Sequence, residues 1–328
     1  MANFPKRAKS PNGLAGEVEV DLTSSRGQSI LLDYGFTGLV WLCALSTAFI
    51  LVWLAWIVYQ DAQPAIKAFG VKFFFSQEWN VGEEKFGGLP YIYGTIVSST
   101  IALLLAIPLG VAVAIVTSED FLPDWFRTPI GFMVELIASI PSVIIGLWGI
   151  FVLIPFLLPW QNWMFEHLSW IPLFSTQPFG PGMLVAGVVL AIMILPTIAA
   201  ISRDVLSAVP NQLRSASMAL GATRWETIWR TLLPAASSGI IGAIILALGR
   251  ALGETMAVTM VIGNSDTISP SLLAPGYTIP AILANQFAEA VSKLHIGALM
   301  YLALILFVIT LAVNSMAVLL VQLINKNR

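Results

Sequence analysis

Charge is what this chain has least of. Asp, Glu, Lys and Arg make up 10% of it against 57% hydrophobic residues, where soluble domains carry about 25% charged residues. Such a sequence cannot wrap one water-facing core in polar surface. Cysteine is nearly absent too: Cys43 stands alone, which excludes an intrachain disulfide. The two histidines, His167 and His295, show no metal-ligand spacing, so neither a metal nor another cofactor is expected. No lysine follows a glycine, which removes the Gly-Lys-Ser/Thr core of a P-loop and with it any ATPase on this chain. No nucleophile with a positioned base is visible, so no catalytic residue is assigned. A net charge of −2 argues neither for nucleic acid nor for an acidic partner. Alternating ten-residue strands, the mark of a membrane barrel, are missing, as are internal repeats and low-complexity segments.

What is present is long apolar runs. Six stand out, at about Gly35–Tyr59, Tyr91–Val116, Pro129–Leu153, Gly182–Ile201, Ala235–Ile262 and Ile296–Leu323. Each is near the roughly 20 residues that cross a bilayer as a helix. The expectation is an all-α integral membrane protein with six transmembrane helices over 29–328, in contact with lipid. Residues 1–28 read as a polar tail with mixed charges, expected to be disordered. The run after the tail is too long for a signal-peptide core and is kept as an uncleaved first helix.

The charges orient the spans. Six crossings put both termini on one side. Lys6, Arg7, Lys9, Arg26, Arg127, Arg203, Arg214, Arg224, Arg230, Lys326 and Arg328 fall on that side, and only Lys67, Lys72, Lys85 and Lys293 on the other. The excess of Lys and Arg marks the cytoplasmic face, so both termini are expected there. On the far side, 153–181 mixes Trp160, Trp163 and Trp170 with prolines and suits the membrane interface. The stretch 280–294 reads as a short amphipathic helix outside the membrane.

The loop between spans four and five, about 202–234, has the most organised pattern. Pro210 suits a first helical turn and Gly221 a left-handed helix end. Thr223 and Glu226 have the spacing of a capping box, and Pro234 is expected to follow the second helix. Leu213, Ala216, Ser217 and Leu220 share one face of the first helix, while Trp225, Ile228, Trp229 and Leu232 form an apolar stripe on the second. Arginines alone would only obey the charge rule, but two tryptophans aligned on a cytoplasmic helix need a surface to cover them.

This pattern resembles the coupling loop of ABC importer permeases, Glu-Ala-Ala, three residues, Gly, nine residues, Ile-x-Leu-Pro. Ala216, Gly221, Leu233 and Pro234 match in register; Ser215, Ser217 and Thr231 stand where the family has Glu, Ala and Ile. The resemblance implies that the loop, through Leu213, Ala216, Leu220, Gly221, Trp225, Ile228, Trp229, Leu232, Leu233 and Pro234, docks on a separate ATPase subunit.

Span five holds two charges, Arg250 and Glu254, near its middle. An arginine there costs about 2.5–3.5 kcal/mol on insertion scales. One turn apart, the two can pair side by side, with an attraction of about 4 kcal/mol at an effective dielectric near 20. Gly242, Gly249, Gly253 and Ala257 form an adjacent small-residue stripe, which lets helices approach closely. The pair either only fixes packing or serves an ion path, where a guanidinium fork fits an oxyanion. Glu254 would then temper the arginine and accept a hydrogen bond from a protonated phosphate, which sulfate could not give. Glu135 in span three either lies near the cytoplasmic interface or joins this path. Pro108, Pro141 and Pro196 fall within three different spans, and each removes a backbone hydrogen bond, tolerable where protein or water compensates.

The stretches GRALGETMAVTMVIGN, ELIASIPSVIIGLWGIFVLIP and AIMILPTIAAISRDV resemble permease subunits of the ABC phosphate importer, an inner-membrane family of type I bundles, and segment order agrees from about Leu31 onward. The resemblance implies a heterodimer with a second homologous permease, two ATPase copies and a periplasmic phosphate-binding protein. Two alternatives stay open: import of another oxyanion, molybdate or sulfate, or an ion-coupled secondary transporter using Glu135 and Glu254 as proton carriers. The cytoplasmic helix-turn-helix speaks against the second, since such a carrier needs no ATPase dock.

Overall fold

The computed structural model describes residues 26–119 and 123–326. The predicted tail lies outside them except for its last three residues, which open α1 (Arg26–Phe69). The chain divides into two compact units, Met1–Leu54 and Ala55–Arg328. In the first, Leu39, Trp41, Phe49 and Trp53 are all exposed. A helix apolar on every side belongs among lipid tails.

The second unit contains the end of α1, then α2 (Leu89–Ser118), α3 (Asp124–Ser139), α4 (Ser142–Trp148), α5 (Ile154–Leu168) and α6 (Met183–Ser207). They are followed by α7 (Asn211–Ala219), α8 (Arg224–Thr227), α9 (Leu233–Gly253), α10 (Met256–Val261), α11 (Ile279–Gln286) and α12 (Lys293–Lys326). A short antiparallel hairpin, β1 (Trp79–Asn80) with β2 (Lys85–Phe86), precedes α2. Six helical stretches among the described residues are long and apolar enough to cross a membrane, as the sequence predicts.

Two predicted spans differ in detail. The third, Pro129–Leu153, is not one helix. Ile140 is extended (φ −71°, ψ 127°) because Pro141 disfavours helical geometry in the residue before it. The long apolar helix there runs Ser142–Leu168 through a π-helical turn at Gly149–Leu153. The fifth, Ala235–Ile262, stops at Gly253 and resumes at Met256, with Glu254 extended between them.

Helices α2 and α6 form the centre of the main core, with α4, α9 and α10 packed around them. They approach closely because glycine faces bulk: a Cβ on Gly187 would strike Ile101, and one on Gly110 would sit 2.9 Å from Ile198. A second cluster joins the end of α1, Phe73, Phe86, Tyr91, Tyr277, α11 and the start of α12. There the Tyr91 hydroxyl donates to Asp266 at 2.8 Å, and burial pushes the Tyr277 phenol above its ordinary range. Gly94 of α2 lies directly under the Tyr277 carbonyl. Gly94→Ala should therefore lower stability by about 1–3 kcal/mol through overpacking, read as a lower unfolding midpoint in detergent. An unchanged midpoint would mean that the 277 loop yields freely.

Candidate functional site

The loop after α6 forms largely as its sequence dictates. Pro210 leads into α7, and Gly221 takes the left-handed φ of +89° that ends it. The capping box is complete: Thr223 Oγ1 accepts from Glu226 N at 3.3 Å, and the Glu226 carboxylate accepts from Thr223 N at 2.9 Å.

The loop departs from expectation in two places. Pro234 does not end the second helix. Residues Ile228–Leu232 form a π-helical turn, with Leu233 N donating to Ile228 O, and α9 continues directly through the proline. Proline lacks a donor and its ring crowds the carbonyl four residues back; the wider turn relieves both demands. Pro155 follows the other π turn in the same way. The apolar stripe also divides. Ile228 and Leu232 are 2% and 1% exposed, packed against Ala114, Ile115, Leu206 and Val209. Trp225 and Trp229 are more than half exposed, their rings 5.8 Å apart and nearly perpendicular. One row of the helix holds the chain together and the neighbouring row faces outward. Leu213, Ala216, Leu220 and Gly221 are exposed beside the tryptophans, Leu233 is half-buried, and Pro234 is exposed.

The departures at Ser217 and Thr231 compensate each other. Ser217 Oγ lies 3.1 Å from Thr227 Oγ1 and accepts from Thr231 Oγ1 at 3.4 Å, so hydroxyls join the two helices where the family motif has Ala and Ile. Ser215, in the place of Glu, turns its hydroxyl back to Asn211 O at 2.9 Å.

Arg250 and Glu254 are not the side-by-side pair that their spacing predicts. Glu254 has left the helix, and its Oε1 accepts from Ala257 N at 3.4 Å, at the start of α10. Arg250 is exposed in the last turn of α9, where the negative end of the helix dipole favours a cation. Among the described residues no carboxylate lies within salt-bridge distance of Arg250. It lines an open-sided groove of about 600 Å³ with Thr197, Gly242, Ile245, Leu246, Gly249, Asn314 and Val318. Added Cβ atoms on Gly242, Gly249 and Gly253 would meet nothing within 4 Å, so among the described residues no contact uses that small-residue face. Ala257 is not part of it. The break at Glu254 puts Ala257 on α10, fully buried, where its Cα lies 3.1 Å from a Cβ built on Gly146.

Glu135 lies elsewhere. Its carboxylate is 3.5 Å from Arg203 Nη2 and 62% exposed, a pair worth little by itself. With Arg127, Thr128, Gly131, Phe132 and Thr117 these two line a separate pocket of about 350 Å³. Arg203 belongs to the last two turns of α6, so Glu135 sits towards the arginine-rich end. The residue that sequence reading passed over is Arg214, counted there only as a positive charge. Its partner, Glu119, is 95 residues distant, and no local pattern signals the contact.

Six membrane-length apolar helices, a cytoplasm-type helical loop continuous with one of them, and an arginine on an open groove suit a membrane permease. The chain belongs to the family of binding-protein-dependent transport system inner membrane components, whose profile matches residues 106–326. It is 42% identical over 322 residues to the phosphate transport system permease protein PstC of Xylella fastidiosa strain Temecula1, covering 96% of this chain and 94% of that one. It is 44% identical over 265 residues to the protein of the same name from Mesorhizobium japonicum, covering 79% and 81%. The fold is similar to that of a chain in the crystal structure of a bacterial alginate ABC transporter with its pentasaccharide-bound periplasmic protein. The TM-score is 0.56 at 17% identity, over 87% of this chain and 94% of that one.

Proposed function

We propose that this chain is one permease half of an ATP-driven phosphate importer of the inner membrane. A second homologous permease completes the translocation path, an ATPase dimer docks on the 202–234 loop, and a periplasmic phosphate-binding protein delivers the ion. The observation that carries the mechanism is the helical run from Arg224 to Gly253. The exposed Trp225 and Trp229 lie at one end of it and Arg250 near the other, about 32–38 Å away at 1.5 Å per residue. A push on the tryptophans is therefore delivered along one element to the groove at membrane depth. There Arg250 provides a permanent positive charge in fork geometry suited to phosphate, and the face around Gly242 and Gly249 accepts the partner permease. Glu254 fixes the break after α9, and Glu135 with Arg203 lines the inner mouth. Phosphate as the cargo is supported by the similarity to phosphate permeases over nearly the whole chain.

Purified complex in sealed vesicles, with binding protein on the outer side, should take up labelled phosphate only when ATP is present on the ATPase side. Molybdate and sulfate in excess should not compete. Competition by either would reassign the cargo and leave the permease reading intact.

Orientation has its own test. In a Cys43→Ala background, cysteines at Glu83 and Gln177 should react with an impermeant thiol reagent from outside. One at Leu220, 91% exposed, should react only after the membrane is opened. The reverse pattern would place the termini outside.

A further inference from the structure

Arg214 of α7 is a firmly held charged group at the arginine-rich end. Its guanidinium donates to Glu119 Oε1 from Nε at 3.1 Å and from Nη2 at 2.8 Å. Nη2 also donates to Leu206 O at 2.9 Å, and Nη1 donates to Val209 O at 2.6 Å and to Asn211 Oδ1 at 3.1 Å. Both members of the ion pair are only 16% exposed. The contrast with Arg203 is sharp: its two carboxylate partners stand at 3.5 and 3.7 Å and are mostly exposed. A planar fork engaging a carboxylate through two nitrogens fixes geometry in a way that a loose surface pair does not.

The partners belong to three elements. Glu119 is the residue at which α2 ends, with its own N–H still bonded to Ile115 O. Leu206 and Val209 carry the carbonyls released at the end of α6, and Asn211 begins α7. The two halves of the docking loop are thus attached differently. α8 runs on into α9 and is braced by Ile228 and Leu232 in an apolar cluster. α7, which bears Leu213 and Ala216, reaches α2 through the Arg214–Glu119 pair.

We propose that Arg214 is a positioning residue for coupling: it locks α7 to the ends of α2 and α6, so that displacement of the loop moves these two spans together with α9. The inference rests on the docking role of the loop given above. Without the lock, α7 would still present its surface to the ATPase but would swing against α2 instead of carrying it. Hydrolysis would continue and transport would lag behind it.

The ratio of phosphate moved to ATP hydrolysed is the readout, measured on the full complex in vesicles beside co-purification of the ATPase. Glu119→Gln removes the charge at the α2 end and leaves the bonds of Arg214 within its own loop. It should keep co-purification and hydrolysis within about twofold and lower the ratio about tenfold, the scale of a lost charge-assisted bond. Arg214→Gln should do the same, and Arg214→Lys should recover part of the ratio. An unchanged ratio in both Gln variants, with the ATPase still bound, would overturn the role of Arg214 while leaving the docking reading standing. Loss of the ATPase from both variants would also overturn it, by assigning the pair to the dock itself. Failure of the unaltered chain to retain the ATPase would overturn the docking reading before any variant is compared.

Discussion

Trp229→Asp is expected to abolish ATP-driven uptake while the permease still inserts and folds. Trp229 is 55% exposed, so a carboxylate there meets water in the isolated chain and costs it little. In the docked complex the same carboxylate would be held against an apolar surface. A buried tryptophan at such an interface is worth about 2–4 kcal/mol, which weakens the dock roughly 30- to 700-fold. Retention of the ATPase subunit through membrane extraction and affinity purification measures this directly. Ile228→Asp is the companion experiment. Ile228 is 2% exposed against α2 and α6, so a charge there should deplete the permease from the membrane. If Trp229→Asp left both ATPase retention and uptake unchanged, the two tryptophans would not be a docking surface.

The parts of this architecture that were legible in the sequence are those set by near neighbours. Length and apolarity mark the spans, Gly221 marks a left-handed turn, and Thr223 with Glu226 forms the cap that its spacing predicts. The prolines mark the limit. Pro141 breaks its helix and Pro234 does not, although both stand in apolar surroundings. The difference lies in whether the preceding residues can widen into a π turn, as Ile228–Leu232 do with Ile228 and Leu232 anchored in the core. The break at Glu254 is also a tertiary effect. Val261 O accepts from Gly182 N at 3.1 Å, and α10 packs on Gly146, contacts from elements far away in the chain. The same separation hid the Arg214–Glu119 pair. For Arg250 and Glu254, the one-turn spacing implied a helix that the fold does not continue.

That geometry sharpens what the intramembrane charges are expected to do. Glu254→Gln keeps a side-chain oxygen to accept from Ala257 N, so the break should survive and uptake should fall only modestly. Arg250→Gln removes a charge that no carboxylate of the described residues neutralises, and so should spare assembly. Arg250→Lys keeps the charge without the fork and should lie between. If the two residues only held helices together, the double Gln variant would recover what either single variant loses; no recovery is expected. The most direct measurement is the initial rate of ATP-driven phosphate uptake into vesicles by the Arg250→Gln complex. The expected result is a rate lowered about 10- to 100-fold, the worth of one charge-assisted contact to the ion, with the ATPase still bound. A rate within about twofold of the unaltered complex would contradict the placing of Arg250 in the phosphate path.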